Sequence, residues 1–433
     1  LVLLWAGEAP ARNFPANQYP FRANSHFLYF AGMGIPGAVI ALEAGNLTLY
    51  WDEPPPAAAL WHGPILSLDA LATEIGAIAA HPKSALLAQR WDAATIPLSD
   101  RTLRQEQSQV LGRLLGPANQ LEEIDRLLAE AIITLRLHQD EEAIAQIQSA
   151  AAVTIQAHQA GMAATLRSPR EASVRAAIEV EFTAAEMVPA YGSIVTVQGE
   201  VLHQERSPHP LSPGDLLLVD AGAESPGGWA SDVTRTWPVS GRFTGPQRDV
   251  YDCVLAAHDA CIAAIAPGVE FRDLHGLACR VLAAGLRDLG ILRGEIEGLL
   301  EQDAIAVFFP HGIGHLLGLD VHDMEDLGDL AGYAPGRSRS ERPGMRYLRL
   351  DRPLQPGMTV TIEPGFYQIP QLLTQAQQRF PGNEVIDWDR LEQFSQVRGI
   401  RIEDDVHLGK DGVLILSEAL PTQAAAIETL VSG

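Results

Sequence analysis

Residues 311–323 read HGIGHLLGLDVHD, three histidines and two aspartates among residues that are otherwise apolar or glycine. Imidazoles at this density suit metal ligation, proton transfer or plain packing, because an amphipathic ring sits readily beside aliphatic neighbours. His311 and His315 have the spacing of the two zinc ligands in HExxH, but Gly312 stands where that motif carries its general-base glutamate, and the glycines weaken a helix. A monozinc protease helix would therefore lack its base. Four carboxylates occupy equally unusual places: Asp220 ends LLLVD, Asp232 opens DVTRT, Glu363 interrupts VTIEPG and Glu403 lies in IRIEDDV. Each alone reads as a strand-end cap or a salt bridge. Together, in strand-like sequence, they need compensation, because unpaired carboxylates are seldom buried. Two divalent cations would balance the four negative charges and would lower the pKa of water enough to make a hydrolytic nucleophile. An oxygen-rich set with one imidazole favours Mn, Co, Fe or Zn over copper.

The elements that must hold these residues show an internal similarity. In SPGDLLLVDAG from Ser212 and QPGMTVTIEPG from Gln355, a Pro-Gly turn launches a β-rich strand and a carboxylate follows six residues after the glycine, Asp220 after Gly214 and Glu363 after Gly357. Two half-domains related by approximate symmetry would bring such equivalent carboxylates together. Alternation puts Asp220 on the face of Leu216 and Leu218, and Arg401 and Glu403 on one face of IRIEDDV with its isoleucines on the other. SPRE at 168–171 predicts a helix through Phe182, with Ser168 as cap and Glu171 closing a capping box, and further helices are expected near 246–264 and 271–290. Near the N-terminus FLYFAG, GAVIAL and NLTLYW read as three strands, followed by helical periodicity from about Ser99 to Thr134 and a second long helix from Asp140. The expected division is 1–135, an α/β domain, and 136–433, an α+β domain, without a Gly-Ser linker between them.

Composition narrows the function classes. The 433 residues carry 31 Lys and Arg against 54 Asp and Glu, a net charge of −23. That balance disfavours nucleic acid or an anionic membrane as a partner and accommodates a divalent-cation site. Cys253, Cys261 and Cys279 lie in helix-like apolar sequence, which predicts buried thiols, a reducing compartment and a cytoplasmic protein. The opening LVLLW is too short for a signal peptide or a membrane span, and its lack of an initial Met leaves a preceding targeting segment open.

HGIGHLLGLDVHD, DAGAES with SDVTRT, TIEPG and RIEDD together resemble the proline-specific metallopeptidases of the pita-bread fold, the group containing prolidase and aminopeptidase P. NQYPFRANSHFLYFAG is similar to the weaker signature of that family's N-terminal domain. The resemblance implies an α/β N-terminal domain and an α+β pita-bread catalytic domain with internal pseudo-symmetry. It implies two divalent ions, Mn first, held by Asp220, Asp232, His315, Glu363 and Glu403. In that scheme Asp232 and Glu403 are shared, Asp220 serves one ion, and His315 with Glu363 the other. It further implies that His203, His311 and His322 line the substrate pocket and handle protons, that Arg401 stands behind the bridging glutamate, and that the chain forms a homodimer or higher homo-oligomer. The implied activity is hydrolysis of the Xaa-Pro bond at a free N-terminus, the partners being small peptides with proline in position two. Arg349, fourteen residues before Glu363, is similar in position to the arginine with which prolidases take the free proline carboxylate, and the segment from Phe366 to Phe394 resembles a prolidase insertion. Xaa-Pro dipeptides are therefore the expected substrates, with an Xaa-Pro aminopeptidase acting on longer peptides as the alternative. A non-catalytic interaction protein on the same fold would show an eroded metal set, and all five positions are intact.

Overall fold

The computed structural model describes residues 1–204 and 206–433. The chain forms two compact units, one of residues 1–136 together with 324–331, the other of residues 137–323 and 332–433.

The first unit is built on a four-stranded sheet in the order Val2–Trp5, Val39–Glu43, Asn46–Tyr50, Ala79–His81, antiparallel except for the last pair. Strand alternation places Leu3, Trp5, Val39, Ala41 and Tyr50 on one face, where they pack with Leu86, Leu98, Val110 and Leu111. FLYFAG, expected as a strand, is instead the helix Ser25–Ala31. The Asn24 side chain accepts from the amides of His26 and Phe27, and Gly32 closes the other end at φ 72°. These local caps, with Phe27, Leu28 and Ala31 buried at helical spacing, outweigh the β preference of the aromatics. Residues 324–331 complete this unit through Asp326, whose carboxylate lies 3.0 Å from His26 Nε2.

The second unit repeats one plan twice. The packed helices Glu141–Thr165 and Glu171–Ala184 accompany a three-stranded sheet ordered Thr234–Pro238, Leu216–Asp220, Ile194–Thr196. The packed helices Gly245–Ala263 and Phe271–Asp288 precede a second sheet ordered Thr359–Ile362, Asp404–Gly409, Gly412–Ile415. In each sheet a strand bearing a carboxylate at or just beyond its end pairs antiparallel with the next. Asp220 faces Thr234 in one, and Ile362 faces Asp404 in the other, which leaves Glu363 and Glu403 at adjoining strand ends. Glu403 N donates to Thr234 O at 3.0 Å, so the two sheets meet where both carboxylate sets converge. Leu217, Val219, Val233 and Trp237 turn toward Ala150, Ala157, Ile178 and Phe182 of the first helix pair, and their strand neighbours Leu218 and Asp220 face the other way.

The helix expected at SPRE begins at Glu171 without the capping box. Ser168 Oγ donates back to Ala164 O, and the buried Glu171 carboxylate accepts from Val197 N at 2.8 Å and His209 N at 2.9 Å. A long-range tie to two loop amides has displaced a local cap. Cys261 and Cys279 are buried, Cys253 is half-buried, and all three are free thiols. No helix among the described residues is long and apolar enough to cross a membrane.

Candidate metal centre and active site

HGIGH is not helical. Residues 313–317 run antiparallel to the strand Thr359–Ile362, with Thr361 N donating to His315 O at 3.0 Å, Glu363 N to Ile313 O at 2.8 Å and Leu317 N to Thr359 O at 3.0 Å. Gly314 permits this approach, because a Cβ there would lie 2.0 Å from Thr361 O. The extended pairing removes the zinc-helix geometry and sets His315 beside Glu363. His315 Nδ1 lies 3.0 Å from Leu316 O, which assigns the proton to Nδ1 and leaves the Nε2 lone pair for a ligand. That Nε2 is 3.3 Å from Asp232 Oδ2.

Among the described residues there are three groups whose donor atoms lie within 4.8 Å of one another: Asp220, Asp232 and Glu403; His315, Glu363 and Glu403; and Asp232, His315 and His322. Asp232, His315 and Glu403 each belong to two of them. All ten residues singled out from the sequence, His203, Asp220, Asp232, His311, His315, His322, Arg349, Glu363, Arg401 and Glu403, line one cavity of about 580 Å³. The cavity's more apolar lining includes Leu202, Tyr347, Ile369 and Leu372. That volume is in the range of small-ligand sites.

Burial favours the neutral forms of these acids. It raises Asp220 and Asp232 above the usual carboxylate range, pushes Glu363 up to about 8 and holds Glu403 well above its ordinary value, with neighbouring carboxylates adding to the rise of Asp220, Glu363 and Glu403. Burial also opposes the Arg401 charge, but Tyr367, Asp220, Glu403 and Glu363 outweigh it, so the guanidinium stays charged and pairs with Asp220. Tyr191 Oη lies 2.6 Å from Asp220 Oδ1 and 2.5 Å from Asp232 Oδ1. One phenolic proton cannot be donated to both at once, so one of these two oxygens is left for another partner. Carboxylates sharing one phenolic proton, an imidazole lone pair aimed at them, and residues common to adjoining donor groups together fit two divalent ions.

Residues 145–410 match metallopeptidase family M24, and residues 1–90 match the aminopeptidase P N-terminal domain. The chain belongs to metallopeptidase family M24. It is 30% identical to a human Xaa-Pro dipeptidase over all of this chain and 89% of that protein. It is equally 30% identical to an Escherichia coli Xaa-Pro aminopeptidase, over 96% of this chain and 90% of the relative. Among solved structures, Pseudomonas aeruginosa aminopeptidase PepP superposes with a TM-score of 0.78 at 30% identity, covering all of this chain and 94% of that one. An Escherichia coli aminopeptidase P variant in complex with substrate gives 0.80 at 28% identity, with the same coverage. The fold is thus an N-terminal domain followed by the α+β pita-bread catalytic domain, and this M24 member is a metal-dependent hydrolase.

Around the M24 donor set lie polar side chains that the motifs do not mark. Thr234 Oγ1 donates to Glu403 Oε2 at 2.7 Å and accepts from Arg401 Nε at 3.0 Å. Asp405 accepts from Asp232 N at 3.1 Å and from Ser231 Oγ at 2.7 Å, fixing the backbone that carries Asp232. Arg401 Nη1 donates to Tyr367 Oη at 3.1 Å, which is 2.9 Å from His311 Nε2. His311 Nδ1 meets Gly312 O at 2.7 Å, so Tyr367 is the donor to Nε2. Burial, then the Arg401 charge, pushes His311 down to about 3, and burial with Arg401 and Arg349 lowers His203. Same-face alternation from Asp232 to Thr234 and from Glu403 to Asp405 is a signal that could have found two of these. Tyr191 has no such mark.

Proposed function

We propose that the protein is an Xaa-Pro aminopeptidase, releasing the first residue from peptides with proline in second position and accepting chains longer than a dipeptide. The observation that carries this reading is the gathering of the five metal-type donors, three histidines and two arginines on one cavity. The likeness to aminopeptidases P along the whole chain weighs toward the longer substrates. Asp220, Asp232, His315, Glu363 and Glu403 would hold two divalent ions, with Mn proposed. Bound there, such ions polarise a carbonyl and activate water, neither of which needs the amide N–H that an Xaa-Pro bond lacks.

The chain's own residues do the rest. Thr234 and Asp405 hold Glu403 and Asp232 in place. The neutral imidazoles of His203 and His311, together with His322, surround the cavity, where they would stabilise charge on the carbonyl oxygen or pass a proton to the departing proline nitrogen. Tyr367, donating to His311 Nε2 and accepting from Arg401, keeps that ring oriented. Arg349 favours a second reading, a dipeptidase, because a guanidinium on the cavity wall would bind a free proline carboxylate by a charge-assisted bond of roughly 1.5–3 kcal/mol.

The test is kcat/KM of Mn-loaded protein on Ala-Pro and Ala-Pro-Ala. An aminopeptidase cleaves the tripeptide at least as well. Cleavage of the dipeptide alone establishes the dipeptidase, and cleavage of neither overturns both readings.

A further inference from the structure

His203 sits on a loop between the strands Ile194–Thr196 and Leu216–Asp220 of the first half of the catalytic unit; Glu171 of that half holds the loop at Val197 and His209, and a second tie, nearer His203, comes from the other half. The buried carboxylate of Glu200, three residues before His203, accepts from Arg398 Nε at 2.9 Å through Oε1, and Arg398 Nη2 closes on the same oxygen. Next to this pair the two backbones touch. A Cβ on Gly199 would lie 2.8 Å from Gly399 O, and one on Gly399 would lie 2.2 Å from the Gly199 carbonyl carbon, so only two glycines allow the approach. On the other side Leu202 packs with Ile369 against Ile194, Leu218 and Tyr367.

The segment that receives the loop is itself part of the site. Arg398 O accepts from Gln368 N at 2.9 Å, and the strand Gly399–Arg401 pairs with Gly365–Tyr367, opposing Arg401 to Gly365 and Gly399 to Tyr367. We propose that Glu200 and Arg398 form a latch that positions His203 over the metal centre by tying its loop to the strand carrying Arg401. Neither residue lines the cavity. Both are positioning residues, acting through His203. Arg398 keeps 44% of its side-chain surface exposed and Glu200 keeps 8%. Removing Glu200 therefore leaves a cation that water can solvate, and the loop loses this tie without a buried charge being stranded.

This inference rests on the reading of His203 as a group acting on the substrate, and the experiment separates the two. Wild type, Glu200→Ala, Arg398→Ala, His203→Ala and the double variant Glu200→Ala/His203→Ala are compared for kcat, KM and bound metal. General acid–base groups contribute about 100-fold or more, and a misplacement near 1 Å costs up to about 100-fold, so loss of the latch is expected to lower kcat about tenfold. KM and metal content should stay near wild type in Glu200→Ala, whereas Arg398→Ala also strands the buried Glu200 carboxylate and should lose at least as much kcat. The deciding readout is the double variant. If the latch acts through His203, Glu200→Ala adds nothing once the imidazole is gone. An unchanged kcat in Glu200→Ala, or the same tenfold loss repeated in the His203→Ala background, overturns the latch while leaving the role of His203 intact. Full activity in His203→Ala overturns the reading of His203 itself.

Discussion

The stabilisation that divalent ions give the catalytic unit, read as the Tm of Mn-loaded minus chelated protein, should grow as pH rises from about 5 to 8. The structure sets both the sign and the scale. A carboxyl whose folded pKa lies above its unfolded value binds more protons in the folded chain, so its favourable contribution is complete below the unfolded pKa and is lost as pH rises through the folded one. Burial carries Glu363 from 4.5 to about 8, which at about 1.4 kcal/mol per pH unit amounts to on the order of 5 kcal/mol. This is an upper bound, because its side chain retains 17% exposure. Asp220, Asp232 and Glu403 shift in the same direction. At about 2–4 °C of Tm per kcal/mol, that difference in Tm should grow by on the order of 10 °C between pH 5 and pH 8, while the buried imidazoles of His311 and His203, whose effect runs the other way, are common to both samples. Mn-loaded protein should gain most from the metal at pH 8, because the ions displace protons that are already leaving. Thermal melts of chelated and Mn-loaded samples at pH 5, 6, 7 and 8 measure this. A difference between the two samples that stays flat or shrinks over that range would refute the reasoning.

Replacing Tyr367 by Phe removes the donor to His311 Nε2 and an acceptor of Arg401, and should lower kcat about tenfold, the equivalent of one good hydrogen bond, with metal content unchanged by elemental analysis. Arg349→Ala should reduce kcat/KM for Ala-Pro by roughly 10- to 100-fold, in line with 1.5–3 kcal/mol, and leave Ala-Pro-Ala less affected. An equal loss on both peptides would remove the carboxylate role. Light scattering of active protein should report a homodimer or a higher homo-oligomer, and a monomer that retains full activity would defeat that expectation.

Much of the catalytic unit can be read from the chain because its signals are local and repeated. A Pro-Gly turn, an apolar strand and a terminal carboxylate occur twice, at Asp220 and Glu363, and the fold sets the two strands in equivalent sheets. Alternation puts Asp220 on the face of Leu216 and Leu218, and the structure shows that it is the other face, with Leu217 and Val219, that packs on the helices. The glycines of HGIGH weakened a helix, and Gly314 turns out to be needed for extended pairing with Thr361. Partners chosen by tertiary structure were not legible. Glu171 has the spacing of a capping box but spends its carboxylate on Val197 and His209, far along the chain. Ser25–Ala31 is aromatic enough for a strand, and side-chain capping by Asn24 decides it. Tyr191 reaches Asp220 and Asp232 from 29 and 41 residues away, with nothing in its own neighbourhood to announce it. Residues 324–331 belong to the first unit, where Asp326 meets the buried His26 from 300 residues away, a pairing that no local pattern announces.

The dinuclear centre is tested most directly by anomalous diffraction from crystals of Mn-loaded protein. The account predicts two anomalous peaks about 3.5–4 Å apart, with Asp232 and Glu403 touching both, Asp220 touching one, and His315 and Glu363 the other. A single fully occupied peak, or two peaks away from Asp220 and Glu403, would contradict it.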